Sequence, residues 1–100
     1  MKTFIFEGKE ITNEGELYKV VEKELTSCLD WKIGRNLDAF NDVLCGGFGV
    51  HDYREPIKII WKNYEYSKQH LGLELTLRIL EIMLGNPEEY HHNVKVELYD

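Results

Sequence analysis

The sequence predicts an α/β fold built on a parallel sheet, and three observations carry that expectation. Two short runs rich in β-branched and aromatic residues, residues 3–7 (TFIFE) and 57–61 (IKIIW), have strand character, and residues 94–99 alternate apolar with polar. Segments with helical periodicity separate these runs, in the order β, α, α, β, α, α, β. Strands separated by helices pair in parallel through right-handed crossovers.

Each element has its own local reason. The first strand stops at Gly8, and EGKEI supplies a turn. Asn13 is placed to cap a helix whose first turn carries Glu14 and Glu16, matching the positive end of the helix dipole. Leu17, Val20, Val21, Leu25 and Cys28 form its apolar stripe, with Lys19, Glu22 and Lys23 outward. A loop carrying Trp31, Lys32 and Ile33 leads to Asn36, the expected cap of a short helix over residues 37–44. Leu37, Phe40, Val43 and Leu44 recur there at helical spacing, and Gly46 and Gly47 end it. The following loop, GGFGVHDYREP, has three glycines and a closing proline, and patternless loops of that length are often functional.

The run IKIIW reads as a strand buried on both faces. Residues 63–70 read as a short helix ending near Gly72, with His70 as a C-terminal capping residue. A longer helix over residues 73–84 places Leu73, Leu77, Leu80 and Leu84 on one stripe, with Ile79, Ile82 and Met83 beside it; the sequence Gly85, Asn86, Pro87 stops it. In the last strand Val94, Val96 and Leu98 alternate with Lys95, Glu97 and Tyr99, giving one wet face.

One hundred residues with 43% hydrophobic content make a single domain, residues 1–100, with one core. The net charge of -6 argues against a nucleic-acid surface, which needs a basic patch, and suits a basic partner. No apolar run approaches the ~20 residues that span a bilayer, so no membrane association is expected. The opening MKTFIFEGKE has no signal-peptide h-region, which points to the cytoplasm. Two cysteines, Cys28 and Cys45, are too few for a disulfide framework and read as small core residues.

Catalysis is not expected, because no nucleophile–base pair, nucleotide fingerprint or phosphate loop is present, and no cofactor is implied. His51, Asp52, His91 and His92 are candidate metal ligands by type. The adjacent histidines point different ways, so these read as loop residues and no metal is expected.

The chemistry concentrates in GRNLDAFNDVLCGG, residues 34–47. Asp38 and Asp42 are four residues apart and project from one side of a helix, where like charges cost a few tenths of a kcal/mol. The helix N-terminus favours Asp38 in the first turn but gives Asp42 little help. Such a pair is either a solvated face or a binding feature.

Gly34, Asn36, Leu37, Asp38, Ala39, Asp42 and Leu44, in one register, resemble the barstar family of ribonuclease inhibitors. Trp61 followed by YEYSKQ agrees, as does the order of elements over nearly the whole chain. The resemblance implies a barstar-like α/β fold, a three-stranded parallel sheet packed with about four helices. It also implies an intracellular inhibitor that blocks the cationic active site of a ribonuclease with an acidic helix and adjacent loops. The implied partner is a basic extracellular-type ribonuclease or a related nuclease toxin, and the free protein is expected to be monomeric.

By the same resemblance, Asp42 reaches deepest into the phosphate-binding site with Asp38 beside it. Gly34 and Gly46 let backbone approach the enzyme, and Lys32, Asn36 and Asn41 complete the expected contact set. The family has tyrosine where this chain has Lys32, and tryptophan where it has Asn41 and Gly47. Aromatic anchors tend to dominate interface energies, so these exchanges change partner choice. The alternative is an immunity module with the same fold, directed at a different toxin or partner.

Overall fold

The computed structural model describes residues 1–26, 34–45, 55–85 and 94–100. Three strands, β1 (Lys2–Glu7), β2 (Ile57–Lys62) and β3 (Val94–Leu98), pair in parallel in the order β1-β2-β3. A 3-10 turn over Gly8–Glu10 leads from β1 towards α1 (Glu14–Leu25), followed by α2 (Leu37–Cys45). After β2 come α3 (Tyr64–Leu71) and α4 (Leu73–Leu84). The parallel α/β architecture and the order of the expected strands and helices agree with the reading of the sequence, but α1 ends at Leu25 with Thr26 as its C-cap, short of the Cys28 assigned to its stripe.

Register partners in a parallel pair share a face. Phe4 and Phe6 therefore align with Ile59 and Trp61, and Ile57 and Ile59 with Val94 and Val96. The helices α1, packed on β1, and α4, packed on β3, flank α2, and together they close the core over this face. Phe6, Ile57, Ile59 and Trp61 are fully buried there against Leu17, Leu25, Phe40, Leu44, Ile79 and Met83.

The other face is open, which corrects the expectation that β2 is buried on both sides. Lys58 and Ile60 are only half-buried, Lys62 is exposed, and Ile5 on β1 is 43% exposed. The reason is that the helices covering the sheet lie on one side, whereas a parallel sheet buried on both faces needs helices on both. Side chains finish the open face instead. Lys58 pairs with Glu97 across β2 and β3, and the Tyr99 hydroxyl donates to the same carboxylate. The Lys58 hydrogen bond, followed by that from Tyr99, holds the Glu97 carboxyl below the usual range.

Helix α1 begins as its cap dictates. The Asn13 side chain accepts a hydrogen bond from the Glu16 backbone N–H at 2.9 Å, and the apolar stripe of α1 through Leu25 is buried. Cys28 and the side chain of Cys45 lie outside the described residues. Gly72 joins α3 to α4 at a φ of 87°, in the region that favours glycine. His70 near the end of α3 has its Nδ1 2.8 Å from the Tyr66 carbonyl oxygen and its ring stacked on Tyr66.

One helix turns a different face inward from its largest leucine stripe. Ile79, Ile82 and Met83 of α4 are buried, whereas Leu73, Leu77 and Leu84 are 60%, 53% and 62% exposed. Both stripes satisfy the periodicity, and only docking against β3 and α2 selects between them.

At the C-terminal ends of the strands, the chain closes on a polar knot. Trp61, fully buried, donates from Nε1 to Ser67 Oγ at 3.0 Å, and that hydroxyl donates to the Gly8 carbonyl at 2.7 Å. Asn63, in the left-handed region at φ 52°, donates from Nδ2 to both Glu7 carboxylate oxygens at 3.0 and 2.8 Å. A Cβ on Gly8 would collide with the carbonyl oxygens of Lys62 and Asn63.

Ser67→Ala leaves the indole N–H and the Gly8 carbonyl without their buried partner, and the expected loss is about 1–3 kcal/mol in urea unfolding. Gly8→Ala is expected to cost more, because backbone on both sides must move. Equal stability of the Gly8→Ala variant and the wild type would refute this account of the corner.

The Asn63 hydrogen bonds, the largest cause, hold the Glu7 carboxyl below its ordinary value of 4.5. A depressed carboxylate contributes stability that is present above the unfolded-state value and lost as pH falls through the folded-state value. Denaturant midpoints measured from neutral to acidic pH should therefore fall less steeply below about pH 4.5 for Glu7→Gln than for the wild type.

Candidate functional site

The acidic helix α2 is held by its cap, its neighbour and its core face. The Asn36 side chain accepts from the Ala39 backbone N–H at 2.8 Å, and the Asn36 carbonyl accepts from Phe40 at 3.0 Å. Just before it, Arg35 donates from Nε and Nη2 to the two oxygens of Glu22 on α1 at 3.1 and 3.2 Å. A two-point guanidinium–carboxylate bond fixes direction as well as distance. Phe40, Val43 and Leu44 anchor the opposite face in the core at 1%, 2% and 0% exposure.

With the inner face committed, Asp38 and Asp42 are both exposed. Among the described residues neither has an ion-pair or hydrogen-bond partner. Two like charges therefore stand one turn apart on the helix, and neither forms an ion pair within the described residues. Between them in sequence, Asn41 is half-buried, and its Oδ1 is buried without a hydrogen-bond partner among the described residues. Gly34 is exposed beside the helix start, where a Cβ would come within 3.2 Å of Asn36 Nδ2.

Of the remaining expected contact residues, Lys32 and Gly46 lie outside the described residues, as do Gly47 and the whole loop from Phe48 to Tyr53. The candidate metal ligands His51, Asp52, His91 and His92 lie outside them too. Among the described residues no group of three or more His, Cys, Asp or Glu side chains is placed to hold a metal ion.

Periodicity alone did not reveal what stands next to Asp38. Glu14 and Tyr18 of α1, Leu37 and Asp38 of α2 and Arg78 of α4 line an open cleft of about 280 Å³. The Tyr18 phenol is pushed up to about 12, mainly by burial and then by the Glu14 carboxylate, with Arg78 opposing. Glu14 is close enough to act on that hydroxyl, yet among the described residues the hydroxyl forms no hydrogen bond of ordinary length and angle. Three helices distant in sequence build this cleft, so no spacing in the chain announces it. The Asn13 cap was the available signal, because it fixes Glu14 in the first turn of α1.

The arrangement offers carboxylates to a cationic ligand along one exposed edge of α2. Asn36→Ala removes the bond to the Ala39 N–H, and the expected cost is about 1 kcal/mol, the usual effect of losing an N-cap side chain. Thermal or urea unfolding measures it, and an unchanged midpoint would show that the Glu22–Arg35 bond alone sets the helix start.

A family model described as Barstar (barnase inhibitor) matches residues 1–99. No curated protein matches the chain.

Proposed function

The chain belongs to the barstar family, the family of the barnase inhibitor, and from that premise we propose that it inhibits a ribonuclease by inserting the acidic edge of α2. The family implies a ribonuclease inhibitor or a related immunity function. The finer reading rests on one observation: Asp38 and Asp42 are exposed and unpaired among the described residues, on a helix fixed at its cap and core face.

A ribonuclease holds a phosphodiester with Arg, Lys and His side chains. Carboxylates filling the same site stand in for phosphate oxygens, and charge-assisted bonds to guanidinium give both strength and geometry. The expected partner is a basic, extracellular-type ribonuclease or related nuclease toxin that is inhibited before it leaves the cytoplasm. Lys32, Gly34, Asn36, Asn41 and Gly46 complete the proposed contact set around the two aspartates. The net charge of -6 speeds encounter with such an enzyme in a salt-dependent way.

A second reading keeps the fold and the acidic helix but directs them at a different toxin. Lys32, Asn41 and Gly47, where the family has aromatic residues, favour it. Capturing the partner from the source organism and assaying RNA cleavage by the captured protein separates the two.

Against the captured partner, Asp42→Ala should weaken binding by at least ~2 kcal/mol, the usual threshold for an interface hot spot. Asp38→Ala should also weaken it, with a non-additive double mutant because both carboxylates address one cationic site. Stability should hold or rise slightly as the i,i+4 repulsion is relieved. Binding that is indifferent to both substitutions overturns the mechanism.

A further inference from the structure

The side of the molecule formed by β3 and α4 is unfinished. β3 is an edge strand, paired only with β2 among the described residues. Its core-facing residues show the gap: Val94 and Val96 are half-buried and Leu98 is 43% exposed, where their β2 neighbours Ile57, Ile59 and Trp61 are fully buried. Above it, α4 carries the exposed leucines Leu73, Leu77 and Leu84, with Leu80 half-buried between them. The spacing of four, three and four residues is that of a seam that packs against another helix. Leu73, Leu80 and Leu84 lie roughly 120–160° around the helix from Arg78, at about 100° per residue. Arg78 faces the cleft shared with α1 and α2, so the leucine flank is turned away from the other helices of the layer.

The strand itself says what fits the edge. VKVEL is self-complementary when two copies pair antiparallel about Val96. Lys95 then stands opposite Glu97 of the second copy, twice by symmetry, Val94 stands opposite Leu98, and Val96 meets itself. Opposite charges directly across a strand pair stabilise it and like charges destabilise it. A two-fold axis through Val96 also brings the two α4 leucine flanks to the same side of the joined sheet. One operation thus covers the open strand edge and the leucine seam together, as a self-complementary dimer interface requires.

We propose that a second copy of this chain docks on this face. The homodimer joins β3 to β3 in one six-stranded sheet, with the α4 leucines packed across the axis. This differs from the monomer expected from the sequence resemblance. It is independent of the ribonuclease reading, since α2 takes no part.

Light scattering coupled to size-exclusion chromatography on the full chain tests it, with circular dichroism confirming that each variant is folded. At ~100 μM a dimer of micromolar affinity is mostly populated, and twice the chain mass is expected. Lys95→Glu and Glu97→Lys each set like charges opposite one another at two places, and each should weaken the dimer roughly tenfold. The double exchange, Lys95→Glu with Glu97→Lys, restores opposite charges and should recover the dimer. Leu73→Glu and Leu84→Glu, both at exposed positions, should give monomers. A wild type that is monomeric at ~100 μM overturns the proposal. So does a dimer indifferent to the leucine substitutions, or one weakened by each charge exchange but not recovered by the double.

Discussion

The fold depends most on the corner where the three strands end. The buried indole of Trp61 is tied through the Ser67 hydroxyl to the carbonyl of Gly8, so the end of β2, the start of α3 and the end of β1 share one hydrogen-bonded chain. β3 joins the same corner through its following residue: Tyr99 N–H donates to the Trp61 carbonyl, and the Tyr99 carbonyl accepts from Tyr64, both at 2.9 Å. The indole must be buried to fill the end of the core, and a buried N–H without a partner is costly. Ser67 removes that cost only because Gly8 lets the backbone of residues 62 and 63 come within touching distance. A parallel sheet has no hairpins to hold its strands in register, and this corner supplies part of what a hairpin would.

That rigidity matters for α2, which no strand contacts strongly among the described residues. Its position comes from Phe40, Val43 and Leu44 in the core, and from the Arg35–Glu22 bond that ties its start to α1. Opposing a side chain's own charge to its neighbour's is a small penalty on a helix of nine residues. The exposed aspartates are therefore tolerated rather than required by the fold. In the proposed complex a partner would meet them already placed, so little ordering cost would fall on binding.

The sheet shows the same economy in a different form. With helices on one face only, the opposite face stays open and carries the Lys58–Glu97–Tyr99 group. The two edges differ as well. β1 begins at the N-terminal end of the chain, whereas β3 lies under a helix that is apolar on two sides. Helices apolar on both sides are normally buried on both, which sets the β3 side apart from the rest of the surface.

The sequence by itself determined the three strands, the four α-helices apart from the end of α1, the parallel pairing and the cap of α2. Each of these is local or follows from the order of elements: alternation, a capping side chain, glycines at the stops, helices between strands. It also singled out Asp38 and Asp42, because a like-charged pair is visible as spacing. Tertiary structure alone decided which stripe of α4 enters the core, that β2 has an open face, and that Glu14, Tyr18 and Arg78 stand beside Asp38. The reason in each case is that periodicity reports that a helix or strand has apolar sides but not how many layers cover them. IKIIW reads the same whether one face or two are covered, and the two stripes of α4 read the same until β3 and α2 press against one of them.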